Sequence, residues 1–275
     1  MGANGRSQSR QFALIIHTDQ YEDDLLSQLA APTANINQLA DLLHDPGIGG
    51  YDEVVCAINE SGEELRRIIS RFFAEKKADD LLLLYFSGHI AVDSKGQMYF
   101  AARTTDHNLL RATSVSGVFL ADEMDNSHAQ KQLLILDCFF SKVLLSDKHP
   151  THHVPGVVGK AINTGAMFSR NGRARFILSA SDSIHYVWQG NGVSGQPGVS
   201  RFSEYFVDGL QNGVTDRDNS DDITLQEMYH YIKERTHSDA NQTSSARHIP
   251  RVWVDNENTQ LILAKNRGCL NLKSG

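Results

Sequence analysis

Two short stretches carry residues able to do thiol chemistry. The first is DDLLLLYFSGH, Asp79 to His89, an apolar run that ends in small residues and a histidine. The second is QLLILDCFF, Gln132 to Phe140, an apolar run that ends in an aspartate, a cysteine and two phenylalanines. A histidine and a cysteine at neighbouring strand ends form the pair a thiol hydrolase needs, because a nearby imidazole holds the thiol as thiolate. A third stretch, Asp216 to Glu227, has the oxygen pattern of a calcium loop. Asp216, Asp218, Ser220 and Asp222 stand at the first, third, fifth and seventh places and Glu227 at the twelfth, with Thr224 ninth. Its sixth place is Asp221 rather than glycine. The competing reading of the same residues is an acidic turn in which Thr224 caps a helix and Glu227 completes the capping box.

These residues need a frame, and the hydrophobic pattern supplies one. Phe12 to His17 is an unbroken apolar run of strand length, as expected for a central parallel strand buried on both faces. Pro32 opens a helix with Ile36, Leu39, Leu42 and Leu43 at helical spacing, closed by Pro46 and Gly47. Glu53 to Ile58 reads as a strand. Ser61 with Glu64 forms a capping box before a second helix carrying Leu65, Ile68, Ile69, Phe72 and Phe73. Asp79 to His89 is the third strand, ending in a turn of small residues. A hairpin-like pair near Gln97 to Ala102 and a helical patch at Val118 to Met124 follow. Gln132 to Phe140 and Arg175 to Ser181 are the fourth and fifth buried strands. Helices at Phe202 to Leu210 and Thr224 to Thr236 and a late strand at Gln260 to Ala264 complete the chain. Alternating strands and helices predict an α/β sandwich with a mostly parallel sheet, whose ligands gather beyond the carboxyl ends of the strands.

The organisation expected is a disordered lead over residues 1–10, one domain over 11–266 and a tail over 267–275. Residues 141–172 lack periodicity and read as a long mobile loop. The chain of 275 residues has a net charge of −7, and no apolar run approaches the roughly 20 residues of a membrane span. A protein living on nucleic acid or an anionic membrane needs a basic footprint that this acidic chain does not supply, so neither is expected as a partner. Three scattered cysteines, Cys56, Cys138 and Cys269, fit a reducing compartment, and a cytoplasmic location is expected. None of them sits at metal-ligand spacing, and no cofactor is required beyond the calcium the acidic loop could take.

The stretches around His89 and Asp137, with their spacing, resemble the caspase and metacaspase family of cysteine peptidases, bacterial caspase-like proteins above all. His89 lies 50 residues before Phe139, and caspases place their histidine about 50 residues before the cysteine motif. The resemblance implies a caspase-like three-layer sandwich running from about Phe12 to Ala264. It implies His89 as general base, amides near Gly88 as oxyanion donors, and Asp137 in an acidic pocket for a substrate Arg or Lys, with Asp182 and Trp188 as further walls. Bacterial relatives read Asp-x-Cys-x-Ser-Gly at the fourth strand end. In this chain Phe139 occupies the nucleophile place and Cys138 falls one residue early; Ile90 and Lys142 replace the glycines after the histidine and the serine.

Two readings follow. Strand alternation turns Cys138 away from the cleft, leaving a pseudopeptidase that binds a basic peptide or protein, or regulates a partner protein. Alternatively, a one-residue bulge delivers Cys138 to His89 and gives an active endopeptidase cleaving after Arg or Lys.

Overall fold

The computed structural model describes residues 9–26, 33–93, 95–140, 168, 174–180, 201–213, 220–242, 251–254 and 260–265. Its centre is a mixed sheet in which β1 (Gln11–His17), β2 (Glu53–Ile58), β3 (Leu81–Val92), β6 (Lys131–Phe140) and β7 (Ala174–Ser179) run parallel in the order β2-β1-β3-β6-β7. Strand β9 (Arg251–Val254) closes the β7 edge antiparallel. Two short strands, β4 (Met98–Phe100) and β5 (Val115–Ser116), extend the sheet from the far end of β3.

Helices cover both faces, giving three layers. On one face α1 (Thr33–His44), α5 (Arg201–Asn212) and α6 (Leu225–Gln242) pack on the odd-numbered residues of the central strands, including Ala13, Ile15, Leu83, Tyr85, Leu133 and Ile135. On the other, α2 (Gly62–Phe73) and α4 (Gly117–Asn126) pack on the even-numbered residues, including Leu14, Ile16, Leu84, Phe86, Leu134 and Leu136. Near-continuous apolar sequence in these strands is what two covered faces require. A one-turn helix, α3 (Leu110–Thr113), precedes β5. A separate two-stranded ribbon pairs β8 (Asp222–Thr224) with β10 (Ile262–Lys265).

The structure corrects the sequence reading at three elements. β3 does not turn at Ser87 and Gly88; it runs on through His89 to Val92, because Ile90, Ala91 and Val92 find a new antiparallel neighbour in β4. The late strand lies outside the main sheet, and the edge position belongs to β9, a short segment with no long apolar run. The α2 cap is half a capping box: Ser61 accepts the Glu64 amide at 3.2 Å, while the Glu64 carboxylate turns to Arg67. Of the expected lead, Ser9 donates to the Asp79 carbonyl and the Arg10 amide to Asp80, and residues 1–8 lie outside the described residues. So do the tail over 267–275 and, apart from Phe168, the loop over 141–172.

The β6–β7 seam carries a buried charge. Arg175, 1% exposed in its side chain, pairs with Asp125 of α4 at 2.7 Å and donates to Gln132 Oε1 and the Phe168 carbonyl. Removing one partner strands the guanidinium in a place that water does not reach. Asp125→Ala is therefore expected to lower unfolding free energy by about 3 kcal/mol in a denaturant titration.

Candidate active site

The carboxyl edge of the sheet is built around the point where β3 changes neighbours. Up to Ser87 it pairs with β1, and the Thr18 amide closes that ladder on the Ser87 carbonyl. From Ile90 it pairs with β4. His89 lies in the gap. Its N–H donates to the hydroxyl of Tyr21 at 2.9 Å, its carbonyl accepts the Ala101 amide at 2.9 Å, and the Tyr21 ring lies 5.1 Å from the imidazole. The same hydroxyl donates to the Thr18 carbonyl at 2.8 Å, so one buried oxygen ties the chain after β1 to β3. Burial drives the Tyr21 phenol well above its ordinary pKa, which keeps this donor protonated. Gly88 is tight here: a Cβ would sit 3.2 Å from both Phe86 Cζ and Tyr21 Oη and 3.3 Å from the Thr18 carbonyl.

On its other side β3 pairs with β6 in one unbroken parallel register: Ser87 with Asp137, Gly88 with Cys138, His89 with Phe139 and Ile90 with Phe140. There is no bulge at the strand end. Alternation then assigns position 139 to the His89 face and Cys138 to the opposite one. Cys138 accordingly packs, partly buried, with the core that holds Phe86 and Leu136. Burial first, and the neighbouring Asp137 charge second, push its thiol well above the ordinary value. Such a thiol is protonated at neutral pH and a poor nucleophile. Ile90 is paired in the ladders to both β4 and β6.

Asp137 is buried, and the Tyr85 hydroxyl donates to its Oδ2 at 3.1 Å. Burial, then the Asp137 carboxylate, raise the Tyr85 pKa, so the phenol serves as donor throughout the ordinary pH range. One more buried polar side chain completes this edge. His17, at the end of β1, is opposite Ser87, which is opposite Asp137, so the three occupy one row across three strands on one face. Neither ring nitrogen of His17 has a hydrogen-bond partner among the described residues; its Nε2 stands 3.4 Å from Asp19 Oδ2. Asp19 is itself held by Asn59, which donates to Oδ1 at 2.8 Å and accepts the Asp19 amide at 3.0 Å. Asn59 does this from a left-handed backbone, φ 53°, a conformation asparagine tolerates better than most residues.

The sequence matches the family profile described as Caspase domain over residues 10–252. The chain belongs to the caspase family. Among solved structures, this caspase domain is similar to the crystal structure of caspase-1 from Spodoptera frugiperda at 13% identity, covering 94% of this chain and 91% of that one, with a TM-score of 0.58. The structure of pro-sf-caspase-1 is similar at 13% identity, covering 90% and 91%, with a TM-score of 0.55. At such identity the likeness shows the fold. No curated protein matches. The mostly parallel three-layer architecture expected from the sequence is the caspase one.

The expected site residues are brought together only in part. His89, Gly88, Asp137, Cys138 and Phe139 meet at the β3–β6 edge of the caspase domain. Asp182 and Trp188 lie outside the described residues, as do Lys142, Asp216 and Asp218. Of the acidic loop, Ser220 and Asp222 bond each other, while Glu227 Oε2 accepts the Thr224 amide at 2.9 Å and its hydroxyl at 2.7 Å. With the Glu227 amide returning to Thr224 Oγ1 at 3.2 Å, that geometry is a capping box at the start of α6. Asp23, Asp106 and His107 approach one another as metal ligands would, but His107 Nδ1 lies 2.7 Å from Asp23 Oδ2, a direct hydrogen bond. No described helix is long and apolar enough to cross a membrane.

Sequence reasoning missed His17, Tyr21 and Tyr85. His17 had a signal, a polar residue closing an apolar strand, and Tyr85 stands two residues before Ser87 on the same face. Tyr21 had none, since its role depends on a chain reversal.

Two measurements check this geometry. Tyr21→Phe removes the partner of two buried backbone groups and is expected to cost about 1–3 kcal/mol of stability. Burial, opposed by Asp19, holds the His17 pKa below the ordinary 6.5, so the unfolded chain takes up this proton first as pH falls. Its contribution to stability is complete above 6.5 and is lost below it. Thermal melts of His17→Leu are expected to show a flatter decline below pH 6.5 than those of the unsubstituted protein.

Proposed function

We propose that this caspase domain binds a peptide or protein segment bearing a basic residue and does not cleave it. The observation that supports this most is the unbroken β3–β6 register. It pairs Cys138 with Gly88 and His89 with Phe139, which supports the reading that Cys138 lies on the far face from His89 and that Phe139 stands where the resemblance puts the nucleophile. A phenylalanine cannot attack a carbonyl, and a partly buried, protonated thiol packed with the core of the opposite face is poorly placed to do so. The acidic element is intact: Asp137, supported by Tyr85, supplies a carboxylate that pairs with a guanidinium or ammonium by a charge-assisted hydrogen bond. In this reading the domain acts as a docking or regulatory module in which a proteolytic scaffold presents a cation site.

The test combines cleavage and binding. Fluorogenic peptides with Arg or Lys before the reporter are incubated with the unsubstituted chain, Cys138→Ala and Phe139→Cys. The first two are expected to be equally inert, and isothermal titration is expected to show Arg-peptide binding weakened at least about tenfold by Asp137→Ala, the loss of one charge-assisted pair. Cleavage by the unsubstituted chain that disappears in Cys138→Ala would overturn the reading in favour of an endopeptidase using His89 and Cys138. Activity appearing only in Phe139→Cys shows a site that lacks nothing but its nucleophile.

A further inference from the structure

His17 has no explanation in the packing of the domain. It ends a strand whose preceding residues on the same face, Ala13 and Ile15, are buried apolar side chains, and it is itself fully buried. Its Nε2 has only the Asp19 carboxylate at 3.4 Å, and its buried Nδ1 has no hydrogen-bond partner among the described residues, a desolvated acceptor that costs about 1–3 kcal/mol and that a leucine would avoid. Its place is the informative part. It lies at the carboxyl edge of the parallel sheet, where open α/β sheets bind ligands, and in register with Ser87 and Asp137. Adjacent strands are about 4.8 Å apart, so His17 and Asp137 flank Ser87 with backbones about 10 Å from each other. The ring is also oriented from behind. Asn59 fixes Asp19 by Oδ1, leaving Oδ2 beside His17 Nε2. That carboxylate favours the tautomer with hydrogen on Nε2, so Nδ1 carries the lone pair.

The row therefore offers a cation two different acceptors from two strands: a carboxylate on β6 and an imidazole nitrogen on β1. The two common cationic side chains use such a pair differently. A guanidinium is a planar fork of five N–H donors and engages acceptors on opposite sides at once. An ammonium is a compact point charge whose three donors radiate from a single nitrogen, so it spans less of the separation between the two acceptors than the guanidinium fork does.

Resting on the reading of Asp137 as a cation site, we infer that His17 is a specificity-determining residue of that site, accepting a hydrogen bond from a bound guanidinium and selecting arginine over lysine. Burial keeps the ring neutral, as this role requires. The Nδ1 acceptor, without a hydrogen-bond partner among the described residues, is then one half of a two-sided clamp.

The experiment is a titration of two tetrapeptides, identical except for a terminal Arg or Lys, against the unsubstituted chain, His17→Leu, His17→Asn and Asp137→Ala, with melting temperatures for each. The unsubstituted chain is expected to bind the Arg peptide about tenfold more tightly than the Lys peptide, the effect of one hydrogen bond to a charged group. His17→Leu is expected to melt higher and to bring the ratio close to one by weakening the Arg peptide alone. His17→Asn, whose amide oxygen accepts, is expected to keep part of the preference. A ratio unchanged in His17→Leu, while Asp137→Ala abolishes both interactions, overturns the role of His17 and leaves the cation site standing. Binding of neither peptide, or binding indifferent to Asp137→Ala, removes the cation site and the His17 assignment with it. A His17→Leu chain that melts lower than the unsubstituted protein with its peptide ratio unchanged makes His17 a structural residue only.

Discussion

A parallel ladder ten residues long joins β3 to β6, and the character of the site follows from its register. Side chains in a strand alternate, so a slip of one residue would exchange every inward and outward position along both strands. The register cannot slip here. Leu82, Leu84, Phe86, Leu134 and Leu136 are buried beneath α2 and α4, and Leu83, Tyr85, Leu133 and Ile135 beneath the helices of the other face. Moving Cys138 to the His89 face by sliding β6 would carry the polar group of Asp137 into the α2–α4 core. A local bulge would have to open a ladder that continues two pairs beyond Cys138. Burial of the middle of the strands thus decides what their ends present.

The same ladder explains why β3 outlasts its neighbour. β1 ends at His17, yet β3 continues five residues beyond Ser87, and an edge exposed in this way leaves amides without partners. Three devices meet the need: β6 continues alongside, β4 folds back antiparallel, and the Tyr21 hydroxyl satisfies the His89 amide left between β1 and β4. A hydrolase needs free, converging amides near its nucleophile. In this chain the His89 amide is bonded to Tyr21 and Ile90 is paired within the sheet on both sides. Stability and oxyanion binding make opposite demands on these groups, and the observed bonds serve stability.

The parts of the fold legible in the sequence are those whose signal is local. FALIIH, EVVCAI and QLLILDCFF are apolar at every place or nearly so, and the helices show their buried stripe at helical spacing, so element type and order can be read directly. For Cys138 the sequence left two orientations open, by strand alternation or by a one-residue bulge, and the unbroken register goes with alternation. What was not legible depends on partners far away in the chain. β3 reads as ending at Ser87 and Gly88 because small residues signal turns, and only the pairing with β4 overrides that signal. β9 is four residues long, with only three consecutive hydrophobic residues, too short a run to announce a strand by itself; it pairs antiparallel with β7. The row of His17, Ser87 and Asp137 joins residues 70 and 50 positions apart in sequence, and no single segment announces it.

Burial of polar groups distinguishes the carboxyl edge from the rest of the sheet. Elsewhere in the central strands a buried polar side chain has a plain structural account: Gln132 donates to the Met124 and Ala129 carbonyls and accepts from Arg175, and Arg175 neutralises Asp125. At the carboxyl edge Tyr85 donates to Asp137, but His17 has only the Asp19 carboxylate at 3.4 Å beside Nε2 and no hydrogen-bond partner for Nδ1 among the described residues. Folding free energy is a small difference between large terms, so an imidazole nitrogen desolvated without a hydrogen bond is a measurable burden. On the proposed reading the benefit is recognition, because a neutral ring beside a buried carboxylate discriminates between cations in a way the carboxylate alone does not. On that reading the loss of the nucleophile leaves the binding chemistry of the edge untouched, because Asp137 belongs to one row of the sheet and the pair of His89 and Phe139 to the next.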